Sequence, residues 1–176
     1  MQSPQVNLSD SPSILPVARS WAVGLTKSRA EKAFAEYLTS HEIPVFLPVF
    51  RRRRVYGSTV HQSLIPLFPG YVFFDEKAAP RALVFESRKL AQVLVPPDPE
   101  QLRNELDNLS RTLQSDLREA IFGLAGSPVQ VVRGPLKGVF GELVRYGAGS
   151  RLVVRVGFIG KAVELEIDEA FVERVN

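Results

Sequence analysis

Four consecutive arginines, Arg51, Arg52, Arg53 and Arg54, are the residues whose type and spacing point most directly to chemistry. Their mutual repulsion and desolvation have no neighbouring carboxylate to offset them, so they cannot be buried together. The polar Gly57-Ser-Thr59 that follows predicts a hairpin tip projecting into solvent, with Tyr56 beside the cations. A protruding row of guanidinium groups next to an aromatic ring suits a grip on phosphates; the plainer reading is a solvated charged surface. Glu164 and Glu166 have the spacing of a carboxylate pair, but no nucleophile or histidine lies near them in sequence. Their alternation with Val163, Leu165 and Ile167 reads as the wet face of a strand. Gly134–Gly138 lacks the Lys-Ser/Thr ending of a phosphate-cradling loop and falls between strands. With no cysteine and only two histidines, disulfide and thiolate chemistry are excluded, and neither a metal site nor a cofactor site is expected. The residues suit binding rather than catalysis, and the chain reads as a non-enzyme.

The elements that must position these residues are those of a soluble protein of one large or two small domains, 176 residues with 45% hydrophobic and 23% charged content. The formal charge is +3 and the sequence pI about 9.4. Residues 21–110 carry twelve Lys/Arg against ten Asp/Glu, and residues 127–176 seven against six. Neither region holds nucleic acid by bulk charge, so any such contact is local. Residues 1–19 hold three prolines and a single cation, Arg19, and read as a disordered leader rather than a targeting peptide. No membrane span is expected, and the absence of cysteine suggests the cytoplasm.

The most apolar stretch is Leu64–Asp75, in which Pro66 and Pro69 keep the backbone before Gly70 out of the middle of a ladder. Tyr71-Val-Phe-Phe74 after it suits a half-buried strand. Upstream, Trp21–Thr26 reads as a strand. Ser28 and Glu31 have the spacing of a capping box opening a helix, whose packed face is Ala30, Ala33, Phe34, Tyr37 and Leu38 and which Pro44 ends. Val45–Phe50 is strand-like around Pro48. Downstream, a short helix is expected at Pro80–Phe85 and a strand at Ala91–Val95. Asp98, Pro99 and Gln101 then start a helix striped by Leu102, Leu106, Leu109, Leu113 and Leu117. The sum is an α+β fold, an antiparallel sheet with helices over residues 20–114. A linker is expected over 115–126, where Gly123 and Gly126 interrupt the apolar period. Over 127–176, short strands at Val129–Arg133, Val139–Tyr146, Leu152–Val156, Ala162–Ile167 and Phe171–Val175 predict a small five-stranded β-barrel. Its glycines, and its β-branched strands, disfavour a helical alternative.

Trp21-Ala-Val, Leu67-Phe-Pro-Gly-Tyr-Val-Phe73, and Val131-Val-Arg-Gly-Pro-Leu-Lys-Gly138 with Gly141 occur in the order and spacing of NusG-type transcription elongation factors, which the chain resembles from about Ser20 to Asn176. The last of these resembles a KOW motif, carried here by Arg133, Gly134, Pro135, Lys137, Gly138 and Gly141. The resemblance implies an N-terminal domain that docks on the clamp helices of RNA polymerase and favours processive elongation. By position, Leu25, Phe68, Pro69, Tyr71 and Phe73 would form the polymerase-facing patch. Lys27, Arg29, Arg88 and Lys89 fall where specialised members touch the non-template DNA strand. The resemblance further implies a KOW barrel that recruits Rho or a small-subunit ribosomal protein, and a monomer without membrane contact. Glu86-Ser-Arg-Lys-Leu90, the short Pro96-Pro-Asp-Pro99 and Leu136 depart from the general members and look more like a specialised, RfaH-like paralogue that antiterminates particular operons. The competing reading is an RNA-binding or ribosome-associated module built on the KOW barrel, with the first domain as a scaffold.

Overall fold

The computed structural model describes residues 14–114, 126–146 and 149–175, with the backbone alone at 53–56 and 146. The leader before residue 14 and residues 115–125 of the expected 115–126 linker, Leu117 among them, lie outside the described residues. The chain divides into two compact units, Met1–Pro99 and Glu100–Asn176.

The first unit contains β1 (Trp21–Thr26), α1 (Glu31–Ser40), β2 (Val45–Phe46), β3 (Val49–Tyr56), β4 (Thr59–Pro66), β5 (Tyr71–Asp75), α2 (Arg81–Glu86) and β6 (Leu90–Leu94). Four strands form an antiparallel sheet in the order β2-β5-β1-β6, which puts the aromatic β5 in its interior as its composition suggests. Alternation sends Ala22, Val72 and Phe74 to a core with Phe34, Ala35 and Leu38 of α1 and Val84 of α2. Gly24 is required there, since a Cβ would come within 2.9 Å of both Phe34 and Leu90. The other face of the same strands carries Trp21, Val23, Phe46 and Phe73, all buried. Asp75 stitches the entry to this sheet: its buried carboxylate accepts the backbone N–H of Arg19 at 2.7 Å, of Lys77 at 3.0 Å and of Ser20 at 3.3 Å.

Three expectations need correction here. The capping box does not form: the helix starts at Glu31, Ala30 is its N-cap, and no side chain caps it. Arg29 before it adopts φ 58, and the Glu31 carboxylate is buried against the Gly70 N–H rather than capping the helix. The buried face is Glu31, Phe34, Ala35 and Leu38, with Ala33 exposed. Val45–Phe50 is not one strand, because Pro48 separates β2 from β3, which among the described residues pairs with β4 alone.

Helix α3 (Pro99–Leu113) starts at the boundary, where the Asp-Pro signal predicts, and lies in the second unit from Glu100 on, with Leu102, Leu106, Leu109 and Leu113 buried. The unit continues as β7 (Ser127–Val131), β8 (Phe140–Tyr146), β9 (Gly149–Val156), β10 (Lys161–Ile167) and β11 (Val172–Arg174), one five-stranded antiparallel sheet in the order β10-β9-β8-β7-β11. The region is thus built of strands, as its glycines and β-branched residues require. Val129, Val131, Leu152, Val154 and Val163 are among its buried residues. Glu164 is the exception to the alternation read from sequence. It is buried rather than wet, because Val144, Val153 and Ala162 form a second apolar cluster on its side of the sheet. Arg151 pairs with it at 3.2 Å through one carboxylate oxygen, and Oε1 has no partner among the described residues.

Helix α3 is fastened to this sheet by polar side chains. Asn108 Oδ1 accepts the Phe140 N–H at 2.7 Å and its Nδ2 donates to the Phe140 carbonyl, while Glu105 accepts the Gly157 N–H at 3.0 Å. The β8–β9 register runs only from Glu142↔Val153 to Tyr146↔Gly149, so Asn108 supplies Phe140 with the partners that β9 does not.

Candidate functional site

The stretch between β4 and β5 is held by backbone at both ends. Leu67 N–H donates to the Pro48 carbonyl at 2.8 Å, and Tyr71 N–H closes on Phe68 O at 3.1 Å. Gly70, at φ 88, is the residue that lets the chain turn into β5. It is gripped from two sides: its carbonyl accepts the Thr26 N–H at 2.8 Å, and its N–H donates to the buried Glu31 carboxylate at 2.7 Å. Glu31 is therefore a positioning residue for this turn. Its proximity to Gly70 spans 39 positions in sequence, and a capping-box pattern concealed it.

The turn sets out a graded apolar face. Val23↔Phe73 and Leu25↔Tyr71 are successive same-face pairs of β1 and β5. Phe73 is 0% exposed and stacks near Phe46 with ring centroids 6.3 Å apart, whereas Leu25 and Tyr71 are half-buried and Pro69 is exposed. Of the expected patch, Leu25, Pro69 and Tyr71 are therefore accessible. Phe68, at 3%, and Phe73 are core residues in this arrangement and offer no side chain to a partner.

Four expected cations come together beside this end of the sheet. Lys27 N–H donates to the Lys89 carbonyl at 2.8 Å, which joins the loop after β1 to the loop before β6. Lys27, Arg29, Arg88 and Lys89 are all exposed on these two loops. Arg29 and Arg88 both sit in the left-handed region, at φ 58 and 57, a conformation that costs a non-glycine residue about 1–2 kcal/mol. The Ser87 hydroxyl, which donates to Val84 O at 2.6 Å and accepts the Lys89 N–H at 3.2 Å, holds the second loop in shape.

Arg51–Arg54 lie elsewhere in the unit, on the β3–β4 ribbon, where Arg51 and Arg52 are exposed. They are positions of β3 rather than of the two basic loops, and the ribbon turns at Gly57-Ser58 as the sequence predicts.

In the second unit, Arg133, Gly134, Pro135 and Lys137 form an exposed turn over the buried Leu136. Gly138 N–H donates to Val131 O at 2.8 Å and closes the loop. Gly141 is a close-approach position, where a Cβ would stand 2.7 Å from the Val153 carbonyl oxygen. Two ion pairs besides Arg151–Glu164 brace the sheet. Arg155 binds Glu142 at 2.7 Å, and Arg145 binds Glu169 at 2.6 Å. The Arg155 hydrogen bond, with help from the Gly126 N–H, lowers the Glu142 carboxyl below its usual range. Arg145 and the Ser150 hydroxyl bring Glu169 down to about 2.

Residues 19–104 match the family described as "Transcription termination factor nusG". The matched segment holds Leu25, Glu31, the Phe-Pro-Gly-Tyr turn, the paired basic loops and the arginine ribbon. Among solved structures the chain is similar to NusG of Thermotoga maritima, at 15% identity over 89% of this chain and 97% of that one, with a TM-score of 0.47. It is similar also to a chain of the MjSpt4:Spt5 complex, at 15% identity over the same shares and with a TM-score of 0.31. No curated protein matches the chain. Among the described residues, no helix is long and apolar enough to cross a membrane.

Proposed function

We propose that this chain is a transcription elongation factor of the NusG type, one that binds RNA polymerase and promotes processive elongation, with antitermination on particular operons. The observation that carries the reading is the family match over residues 19–104, the segment that builds the graded apolar face and the basic loops. An apolar sheet end left part-exposed beside a fixed aromatic turn suits a rigid partner surface, and the clamp helices of the polymerase are that partner. Leu25, Pro69 and Tyr71 make the contact. Lys27, Arg29, Arg88 and Lys89 hold the exposed non-template strand by its phosphates, and Arg51–Arg54 add a second basic surface toward DNA. The five-stranded C-terminal sheet, with its Arg133–Gly141 motif, recruits a small-subunit ribosomal protein or Rho. None of these roles requires bond-making chemistry.

The test is site-specific photocrosslinking in a reconstituted elongation complex. A photoreactive residue in place of Tyr71 is expected to label the polymerase subunit that carries the clamp helices, and one in place of Arg88 the non-template strand. Labelling of ribosomes or free RNA by both probes, with no polymerase adduct, would overturn the reading in favour of an RNA-associated module.

A further inference from the structure

The β3–β4 ribbon is more than a display of charge. Its eight register pairs, from Val49↔Pro66 to Tyr56↔Thr59, make a two-stranded antiparallel ribbon that pairs with no other strand among the described residues. Eight residues at about 3.4 Å per step give it a length of roughly 24 Å. Residues 57–63 are exposed throughout, on both faces of β4, so no layer of the described protein covers this half of the ribbon. An isolated two-stranded hairpin is marginal in water, and a ribbon bare on both faces gains from a partner. Val49–Pro66 contains four arginines and neither Asp nor Glu.

The register sorts these residues. Positions 52 and 54 share a face with Ser63, His61 and Thr59 across the ribbon, and positions 51 and 53 share the other with Leu64 and Gln62. Leu64 packs toward the core of the unit, so the face of positions 52, 54, 59, 61 and 63 is the one turned away from it. Beyond the apolar Phe50↔Ile65 pair at its base, that face carries Arg52, Thr59, His61 and Ser63, whose types hydrogen-bond to base edges and phosphates, and the ribbon contains no carboxylate to repel them.

We propose that this ribbon inserts into the major groove of duplex DNA. Strands about 4.8 Å apart make a ribbon that fits a groove about 12 Å wide, and the B-form major groove admits such an element. The A-form groove of double-stranded RNA is too narrow and deep for it. A single strand offers no groove walls to contact both sides of a ribbon at once. The inference deepens the DNA contact proposed above for Arg51–Arg54, but it concerns the free protein and does not depend on polymerase binding.

The experiment measures binding of the full chain to a short B-form DNA duplex, the same single strand and the same duplex in RNA. Duplex DNA is expected to bind about tenfold or more tighter than duplex RNA. DNA whose cytosines carry glucosylated hydroxymethyl groups, which fill the major groove, is expected to lose that advantage, while a minor-groove drug leaves it intact. R52Q/R54Q, with an unchanged melting temperature, is expected to bind duplex DNA about tenfold more weakly, with a salt slope shallower by roughly 0.9 per lost phosphate contact. K32Q, which removes an exposed charge of α1, serves as the control and is expected to keep the groove signature. Equal affinity for RNA and DNA duplexes, indifference to glucosylation, or full binding by R52Q/R54Q overturns the ribbon proposal and leaves the polymerase reading to its own crosslinking test.

Discussion

The Glu31 carboxylate accepts the Gly70 backbone N–H at 2.7 Å and so ties the first turn of α1 to the turn that launches β5. Glu31→Ala leaves that donor without its partner and is expected to lower stability by about 1–3 kcal/mol. Glu31→Gln keeps an acceptor oxygen and is expected to lose less. Denaturant titration of the three proteins checks the order. If alanine and glutamine behave alike, the hydrogen bond does not hold the turn.

Tyr71 and Phe73 share a face of β5 but differ in exposure, and the difference separates interface from core. Tyr71→Ala is expected to weaken polymerase binding by about 1–3 kcal/mol in a chain that still folds. Phe73→Ala is expected instead to destabilise the fold by about 3–5 kcal/mol. Polymerase affinity measured beside thermal melting distinguishes them, and unchanged affinity of folded Tyr71→Ala removes that residue from the contact.

Arg29 and Arg88 pay a conformational penalty at φ 58 and 57 that glycine would not. Arg29→Gly and Arg88→Gly are each expected to raise stability by about 0.5–1 kcal/mol after glycine's own unfolded-state entropy is counted. Both are expected to weaken binding of the non-template strand. Stability and DNA affinity thus move in opposite directions, and a variant that loses stability contradicts the strain assignment.

Acid is expected to loosen the C-terminal sheet. Glu142 and Glu169 have lowered carboxyls, so they bind fewer protons folded than unfolded and contribute stability above their ordinary value of 4.5. That contribution falls away as pH drops below 4.5, and for Glu169 it is gone once pH passes through about 2. Denaturation midpoints between neutral pH and pH 2 check this: Arg145→Gln and Arg155→Gln are each expected to flatten the decline, and a profile unchanged by either excludes that pair as its source.

What could be read from the sequence was whatever depends on neighbours along the chain. Asp98, Pro99 and Gln101 mark the start of α3, and Gly57-Ser58 marks the ribbon turn, because cap and turn chemistry is local. The resemblance led to the Phe-Pro-Gly-Tyr turn and the basic loops, yet the exposure of each side chain depends on register across strands. Phe68 and Tyr71 sit three positions apart, and only the structure separates a core residue from an accessible one. Glu31 and Glu164 were misread for the same physical reason. Each belongs locally to a familiar pattern, and each is buried by groups far along the chain, Gly70 in one case and the Val144–Val153–Ala162 cluster in the other.

Asn108 completes the hydrogen bonding of Phe140 in place of a strand, and this fixes where the C-terminal unit can be cut. A fragment beginning at Gly126 keeps all five strands but leaves the Phe140 N–H and carbonyl bare beside a ring that is 50% exposed. Such an open ladder end is a template for self-association. A fragment beginning at Pro99 carries its own splint and is expected to stay monomeric at concentrations where the shorter one self-associates.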